Sequence, residues 1–151
     1  MPRGSSPTFW PSSLGTGAAL FDQSYFGKFV LRGPDAADAA RYVSAGDPDK
    51  GPGDVTYTVF CDANGGVEAD LTITKLEQNE FYVVSGGATK TKDFAWLKTH
   101  SSAFDVALDD VSDAVGVLSV QGPRSRQLLA PLVDGGLLDS LDAGSEKGDF
   151  F

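Results

Sequence analysis

The clearest pattern of apolar and polar positions lies between Val55 and Lys75. Val67, Ala69, Leu71 and Ile73 alternate with Glu68, Asp70, Thr72 and Thr74, the period of a strand with one buried and one polar face. Val55 to Cys61 is also rich in Val, Thr and aromatic residues, and Asn64-Gly65 between the runs is a strong turn signal. The two runs predict a β-hairpin. With an even number of residues in the turn, odd positions on the first strand share a face with even positions on the second. Tyr57 and Asp70 then lie on one face as near-diagonal neighbours, roughly 7 to 8 Å apart.

Other segments are shorter. Phe26 to Leu31 reads as a strand, and Gly33-Pro34-Asp35 starts a helix that runs to about Val43, with Asp35 and Asp38 complementing the positive end of its dipole. Glycine and proline between Gly46 and Gly53 break regular structure. Phe81 to Ser85 predicts a third strand ended by Gly86-Gly87. A helix follows over Thr89 to about Thr99, with Phe94, Leu97 and Trp96 inward and Lys90, Lys92 and Lys98 outward. Phe104–Leu108 and Val115–Val120 read as further strands, and Gly122-Pro123 opens a helix through about Leu129. Residues 1–18, rich in Pro, Gly and Ser, read as a flexible lead-in, and residues 19–151 as one domain. Adjacent strands with interspersed helices indicate an α+β fold with a largely antiparallel sheet and a few packed helices.

Composition narrows the function classes. The chain has 151 residues, 41% of them hydrophobic and 22% charged, which suits a globular domain. Its 21 acidic and 12 basic residues give a formal charge of −9, which repels phosphate backbones and anionic lipid, so no nucleic acid or membrane partner is expected. No apolar run approaches the roughly 18 residues of a membrane span. With one cysteine, Cys61, and one histidine, His100, neither an intrachain disulfide nor a Cys/His zinc cluster can form, and no metal site is expected. Cys61 reads as a small buried hydrophobe and His100 as an exposed residue of a last helical turn, without a nucleophilic role. No targeting segment is visible at the start. The ending on Gly148-Asp149-Phe150-Phe151 reads as a truncation.

Three segments in order carry a resemblance: Phe21-Asp22-Gln23-Ser24-Tyr25-Phe26-Gly27-Lys28-Phe29, Gly65-Gly66-Val67-Glu68-Ala69-Asp70-Leu71-Thr72, and Ser119-Val120-Gln121-Gly122-Pro123. Together they resemble the first part of the folate-binding aminomethyltransferase (glycine-cleavage T-protein) fold over roughly Ala19 to Leu132. The version they resemble most is the one fused behind the flavin domain of sarcosine and dimethylglycine dehydrogenases. The resemblance implies tetrahydrofolate as cofactor and capture of a one-carbon unit from a methylated or aminomethylated amine as 5,10-methylenetetrahydrofolate. It also implies FAD only in a domain absent here, the rest of a parent dehydrogenase chain as partner, and a mitochondrial location.

The resemblance assigns Asp70 to a position beside the reactive folate nitrogens. A carboxylate suits that place, because attack on an iminium or formaldehyde develops positive charge that a fixed anion in a dry pocket stabilises, and the released proton needs an acceptor. Taken alone, Asp70 would read as a solvated side chain on an exposed sheet face. The same resemblance assigns cofactor contacts to Tyr57, Phe26, Tyr82, Val84 and Gly86, each of which also fits ordinary strand packing. Phe26 stands where glycine-cleavage relatives have methionine, and Gly86 where they usually have asparagine. The Tyr-Thr-Gly-Glu-like segment and arginines of the family's second half do not occur here, so weak or undetectable folate binding is expected of these residues alone. The alternative is a non-catalytic relative resembling the regulatory subunit of pyruvate dehydrogenase phosphatase.

Overall fold

A computed structural model describes residues 17–133. The lead-in up to residue 16 and the stretch from residue 134, including Gly135-Gly136 and the terminal Phe150-Phe151, lie outside the described residues. The elements are β1 (Ala19–Asp22), β2 (Gly27–Arg32), α1 (Ala36–Val43), β3 (Val55–Cys61), β4 (Val67–Glu77), β5 (Glu80–Ser85), α2 (Lys90–His100), β6 (Ala107–Asp110), β7 (Leu118–Gln121) and α3 (Ser125–Leu129). One sheet has the order β3-β4-β5-β2-β6 and the other pairs β1 with β7. Every pairing in the larger sheet is antiparallel, so the α+β fold read from the sequence is the one observed. The chain forms two compact units. Asp22–Val117 holds the five-stranded sheet with α1 and α2, and the described residues on either side of it contribute the β1–β7 ribbon and α3.

In the larger unit the helices cover one side of the sheet. Phe29, Leu31, Phe60, Ala69, Leu71, Ile73, Phe81 and Val83 point to that side and are buried against Ala36, Ala39, Ala40 and Val43 of α1 and Leu97 of α2. The α1 residues follow the spacing of a helical stripe, and three of the four are alanine, which lets the helix lie close to the sheet. Asp35 precedes this helix without a side-chain cap; its carboxylate instead accepts a hydrogen bond from the Asp105 backbone N–H at 2.9 Å. Gly33 has φ +144°, and a Cβ there would lie 2.4 Å from the Asp105 carbonyl oxygen, so the entry to α1 requires glycine.

The hairpin forms where the sequence predicts, but its turn differs from the expected even one. Asp62 and Gly66 close a loop of Ala63, Asn64 and Gly65. The Asp62 N–H donates to the Gly66 carbonyl at 2.8 Å and the Gly65 N–H to the Asp62 carbonyl at 3.0 Å, with Gly65 at φ +84°. This is the three-residue turn with a left-handed glycine that generates a bulge. The Asp62 side chain completes it by accepting from the Asn64 and Gly66 N–H groups, each at 2.8 Å. A register shift between Phe60 and Cys61 compensates for the odd loop. Tyr57 therefore pairs with Thr72 and Val59 with Asp70, the facing deduced from the sequence for a different reason.

Three strands depart from expectation. β1 has no counterpart in the sequence reading. β6 starts at Ala107 rather than Phe104, because Ser101 to Asp105 turn back on themselves while Phe104 and Val106 pack partly against the core. β7 starts at Leu118 rather than Val115, after a turn closed by the Ala114 N–H on the Val111 carbonyl. Val67, read as inward, is 65% exposed at the end of its strand.

The Gly- and Pro-rich segment between α1 and β3 is fastened by charge. Asp49 bridges Arg41 of α1 and Lys75 of β4. The hydrogen bond from Lys75, then the charge of Arg41, hold the Asp49 carboxyl below its ordinary range despite partial burial. A carboxyl with a depressed folded-state pKa binds protons more weakly folded than unfolded, so its contribution is complete at neutral pH and is lost as pH falls through the acid range. Asp49→Asn is expected to lower stability at pH 7 and to flatten the fall in stability below about pH 4. Denaturant unfolding of both proteins across that range checks this.

Candidate functional site

The side of the sheet away from the helices carries the residues singled out from the sequence. Tyr57, Thr72, Val84 and Lys28 form one continuous row across β3, β4, β5 and β2. Val55, Thr74, Tyr82 and Val30 form the next row on one side. On the other side, Val59 pairs with Asp70, and continuation of the register brings Gly86 beside Asp70 and Phe26 beside Gly86. Phe26 itself stands in a bend one residue before β2, not in the strand. Strand alternation thus gathers Asp70, Tyr57, Tyr82, Val84 and Gly86 onto one face, with Phe26 at its edge.

Tyr57 and Asp70 are diagonal neighbours on this face, and hydrogen bonding to the Asp70 carboxylate is the strongest influence on the Tyr57 phenol. That bond, with slight burial and the nearby negative charge, raises the Tyr57 pKa, because ionising the phenol would lose the donor and place two anions together. Tyr82 is also raised, by burial. The enclosure expected around Asp70 is not found among the described residues: Asp70 is exposed and Tyr57 is 50% exposed. The reason is topological, since α1 and α2 both pack on the other side of the sheet. The carboxylate is fixed by its neighbour rather than by a dry pocket.

Gly86 has room for a side chain. A Cβ there would meet only Thr89 Oγ1 at 3.5 Å, so its lack of an amide is not forced by crowding. The adjacent Gly87 is different, because a Cβ would stand 2.2 Å from the Tyr25 ring. The turn is tied down by Thr89, whose hydroxyl lies 3.2 Å from the Gly86 carbonyl and 2.6 Å from Asp93 Oδ2.

Two buried ionic groups went unnoticed in the sequence. Lys28 is fully buried in the Tyr57 row, and its Nζ donates to the Ser24 carbonyl at 2.7 Å. Its charge helps to hold Asp22 below the ordinary carboxylate range, after hydrogen bonds from Ser24. Asp110 is shifted the same way: burial opposes the shift, but Ser112 hydrogen bonds and the charges of Lys90 and Lys28 outweigh it. Asp93 is 1% exposed on α2, with Oδ1 lacking a hydrogen-bond partner. Neither residue has a period or spacing that separates it from ordinary surface charge, although Asp93 stands one turn before the buried Leu97.

Among the described residues no group of three or more His, Cys, Asp or Glu side chains could hold a metal ion, and no helix is long and apolar enough to cross a membrane.

Comparison with known proteins places this arrangement. The crystal structure of the glycine cleavage system aminomethyltransferase T from Bartonella henselae superposes with a TM-score of 0.69 at 24% identity, covering 78% of this chain and 32% of that one, which shows a shared fold. Aminomethyltransferases from Thermotoga maritima and Staphylococcus carnosus are 36% identical over 119 residues and 37% identical over 116 residues. These alignments cover 78% and 76% of this chain but 33% and 32% of those proteins, so the chain spans about a third of the length of these curated relatives. The model of the GCVT N-terminal domain family matches residues 12–142. The chain belongs to that family, the N-terminal domain of the folate-binding aminomethyltransferases.

The Tyr57–Asp70 interaction has a direct spectroscopic consequence. In a pH titration followed through ring carbon shifts, Tyr57 is expected to ionise above the ordinary tyrosine value of about 10. Asp70→Asn removes the charge and is expected to bring Tyr57 back toward that value while leaving Tyr82 raised. An unchanged Tyr57 titration in the variant would show that the two side chains do not interact.

Proposed function

We propose that the open sheet face binds the pterin ring of tetrahydrofolate and contributes its carboxylate, Asp70, to one-carbon transfer. One observation carries the reading: five residues that family resemblance assigns to the pterin fall on one face, with Phe26 at its edge and Tyr57 diagonal to Asp70. The residues present fit one side of a flat, hydrogen-bonding ring. Tyr57, Tyr82 and Val84 supply aromatic and apolar surface, Thr72 a hydroxyl, and Asp70 an anion.

Tetrahydrofolate, when bound, supplies the nitrogen nucleophiles that take up a carbon at the oxidation level of formaldehyde. Asp70 then acts at the point where positive charge develops and a proton is released. Its fixed charge favours the cationic stage, and its oxygens can accept the proton. Tyr57 positions the carboxylate by occupying one of its lone pairs, so that the remaining oxygen surface faces outward. Water exclusion would have to come from outside the described residues.

The finer assignment is also a proposal. We place the domain with the sarcosine and dimethylglycine dehydrogenase type, on the strength of Gly86 in place of the usual asparagine and of the Ser24-Tyr25-Phe26-Gly27-Lys28 segment. A methylated amine as carbon source, a flavin-bearing partner domain and a mitochondrial setting go with that placement. A non-catalytic, scaffold-like relative is the other reading, favoured by the exposure of Asp70.

Asp70→Ala in the protein expressed from its own gene separates the two. The enzyme reading expects folate-dependent methylene transfer to fall by about 100-fold or more, the scale of a lost acid–base group, with flavin reduction unchanged. Transfer that survives the substitution intact, or no transfer in the unsubstituted protein, would favour the scaffold.

A further inference from the structure

On the helix side of the sheet, a cleft of about 290 Å³ opens between the C-terminal ends of α1 and α2 and the end of β3. Its size is near the lower end of the roughly 300–1,000 Å³ usual for small-molecule pockets. Tyr42, Cys61, Asp62, Trp96 and His100 line it. Cys61 and His100, which the sequence separates into a strand and an exposed helix end, therefore border one space.

The walls are fixed before any ligand arrives. Trp96 stacks on two rings, Phe60 at 4.8 Å and 14° and His100 at 3.7 Å and 19°. The His100 ring is further held by contact of Nδ1 with the Trp96 carbonyl at 2.8 Å. When Nδ1 carries the proton for that bond, Nε2 is left as an acceptor. Opposite, Tyr42 is 68% exposed yet leans on Phe104 with ring centres 5.5 Å apart. A large exposed aromatic held by one ring contact presents its remaining surface to the cleft.

Asp62 supplies the charge. Its Oδ1 is committed to the hairpin turn through the Asn64 and Gly66 N–H groups, whereas those bonds leave Oδ2 unused. The carboxylate is thus anchored at the cleft, with Oδ2 outside those two bonds. Rigid aromatic walls, one fixed anion and a net charge of −9 favour a flat apolar body with a cationic, hydrogen-donating end.

We propose that this cleft is a second ligand site, on the opposite side of the sheet from Tyr57 and Asp70, for a small planar aromatic cation. The site does not depend on the folate reading. Stacking surface comes from Tyr42 and His100, and the cationic end pairs with Asp62. Because Asp62 is exposed, the charge pair contributes modestly, and affinity in the millimolar range is expected.

Benzamidine is a suitable probe, with benzoate as its anionic counterpart. Trp10→Phe leaves Trp96 as the single tryptophan, and Cys61 is the single thiol. Benzamidine is expected to change Trp96 fluorescence saturably at about 1–10 mM and to slow alkylation of Cys61 by iodoacetamide, while benzoate does neither. Asp62→Asn keeps the turn acceptor but removes the charge, and is expected to weaken benzamidine about two- to five-fold. Tyr42→Ala should weaken it by a similar or larger factor. Both side chains are exposed, so circular dichroism should confirm intact folds. Equal binding of benzoate, lack of saturation, unprotected Cys61, or unchanged affinity in either variant would overturn the proposal.

Discussion

The register of β3 against β4 is the constraint on which the rest depends. A shift of one residue in an antiparallel pair exchanges the two faces of a strand. Here Thr56, Thr58 and Phe60 face the helices together with Ala69, Leu71 and Ile73, leaving Tyr57 and Val59 opposite Thr72 and Asp70. The bulge between Phe60 and Cys61 sets this register, and Asp62 with Gly65 sets the bulge. A turn of five residues thus decides both which side chains build the core and which carboxylate faces outward.

Core and site are therefore two sides of one sheet. The helix side is stabilised by apolar burial around Phe29, Phe60, Phe81 and Leu97, each at most 1% exposed. The other side is lined by hydroxyls, aromatic rings and a carboxylate, with a buried ammonium at Lys28. Asp93 links the sides locally, since it holds Thr89 and through it the Gly86 turn. Asp93 Oδ1 makes no hydrogen bond and has Lys92 Nζ 3.9 Å away, and leaving a buried acceptor without a hydrogen bond costs about 1–3 kcal/mol.

Much of this was legible in the sequence where short-range signals are strong. Period-two alternation and Asn64-Gly65 located the hairpin, and Gly33-Pro34-Asp35 with Asp38 located α1. The facing of Tyr57 and Asp70 followed, although through an assumed even turn; a compensating bulge made the parity correct. What the sequence did not show depends on tertiary contacts. β1 is four residues long and exists by pairing with β7, and β6 begins where Ala107 meets Arg32 rather than where the apolar run begins. Taken alone, Asp70 read as a solvated side chain on an exposed sheet face, as found; the pocket around it was expected from the resemblance, and periodicity says which residues share a face but not what covers it. Family motifs supplied the chemical meaning, which no pattern of burial could.

The central claim is that the face bearing Tyr57 and Asp70, and not the helix side, receives the pterin. Titrating an isotope-labelled sample of the chain with tetrahydrofolate to millimolar concentration tests it most directly, since weak binding still moves resonances. The account predicts perturbations centred on Tyr57, Asp70, Thr72, Tyr82 and Val84, reduced by Asp70→Ala, with the signals of Phe60 and Leu97 in place. Perturbations centred on α1 and α2 would contradict it.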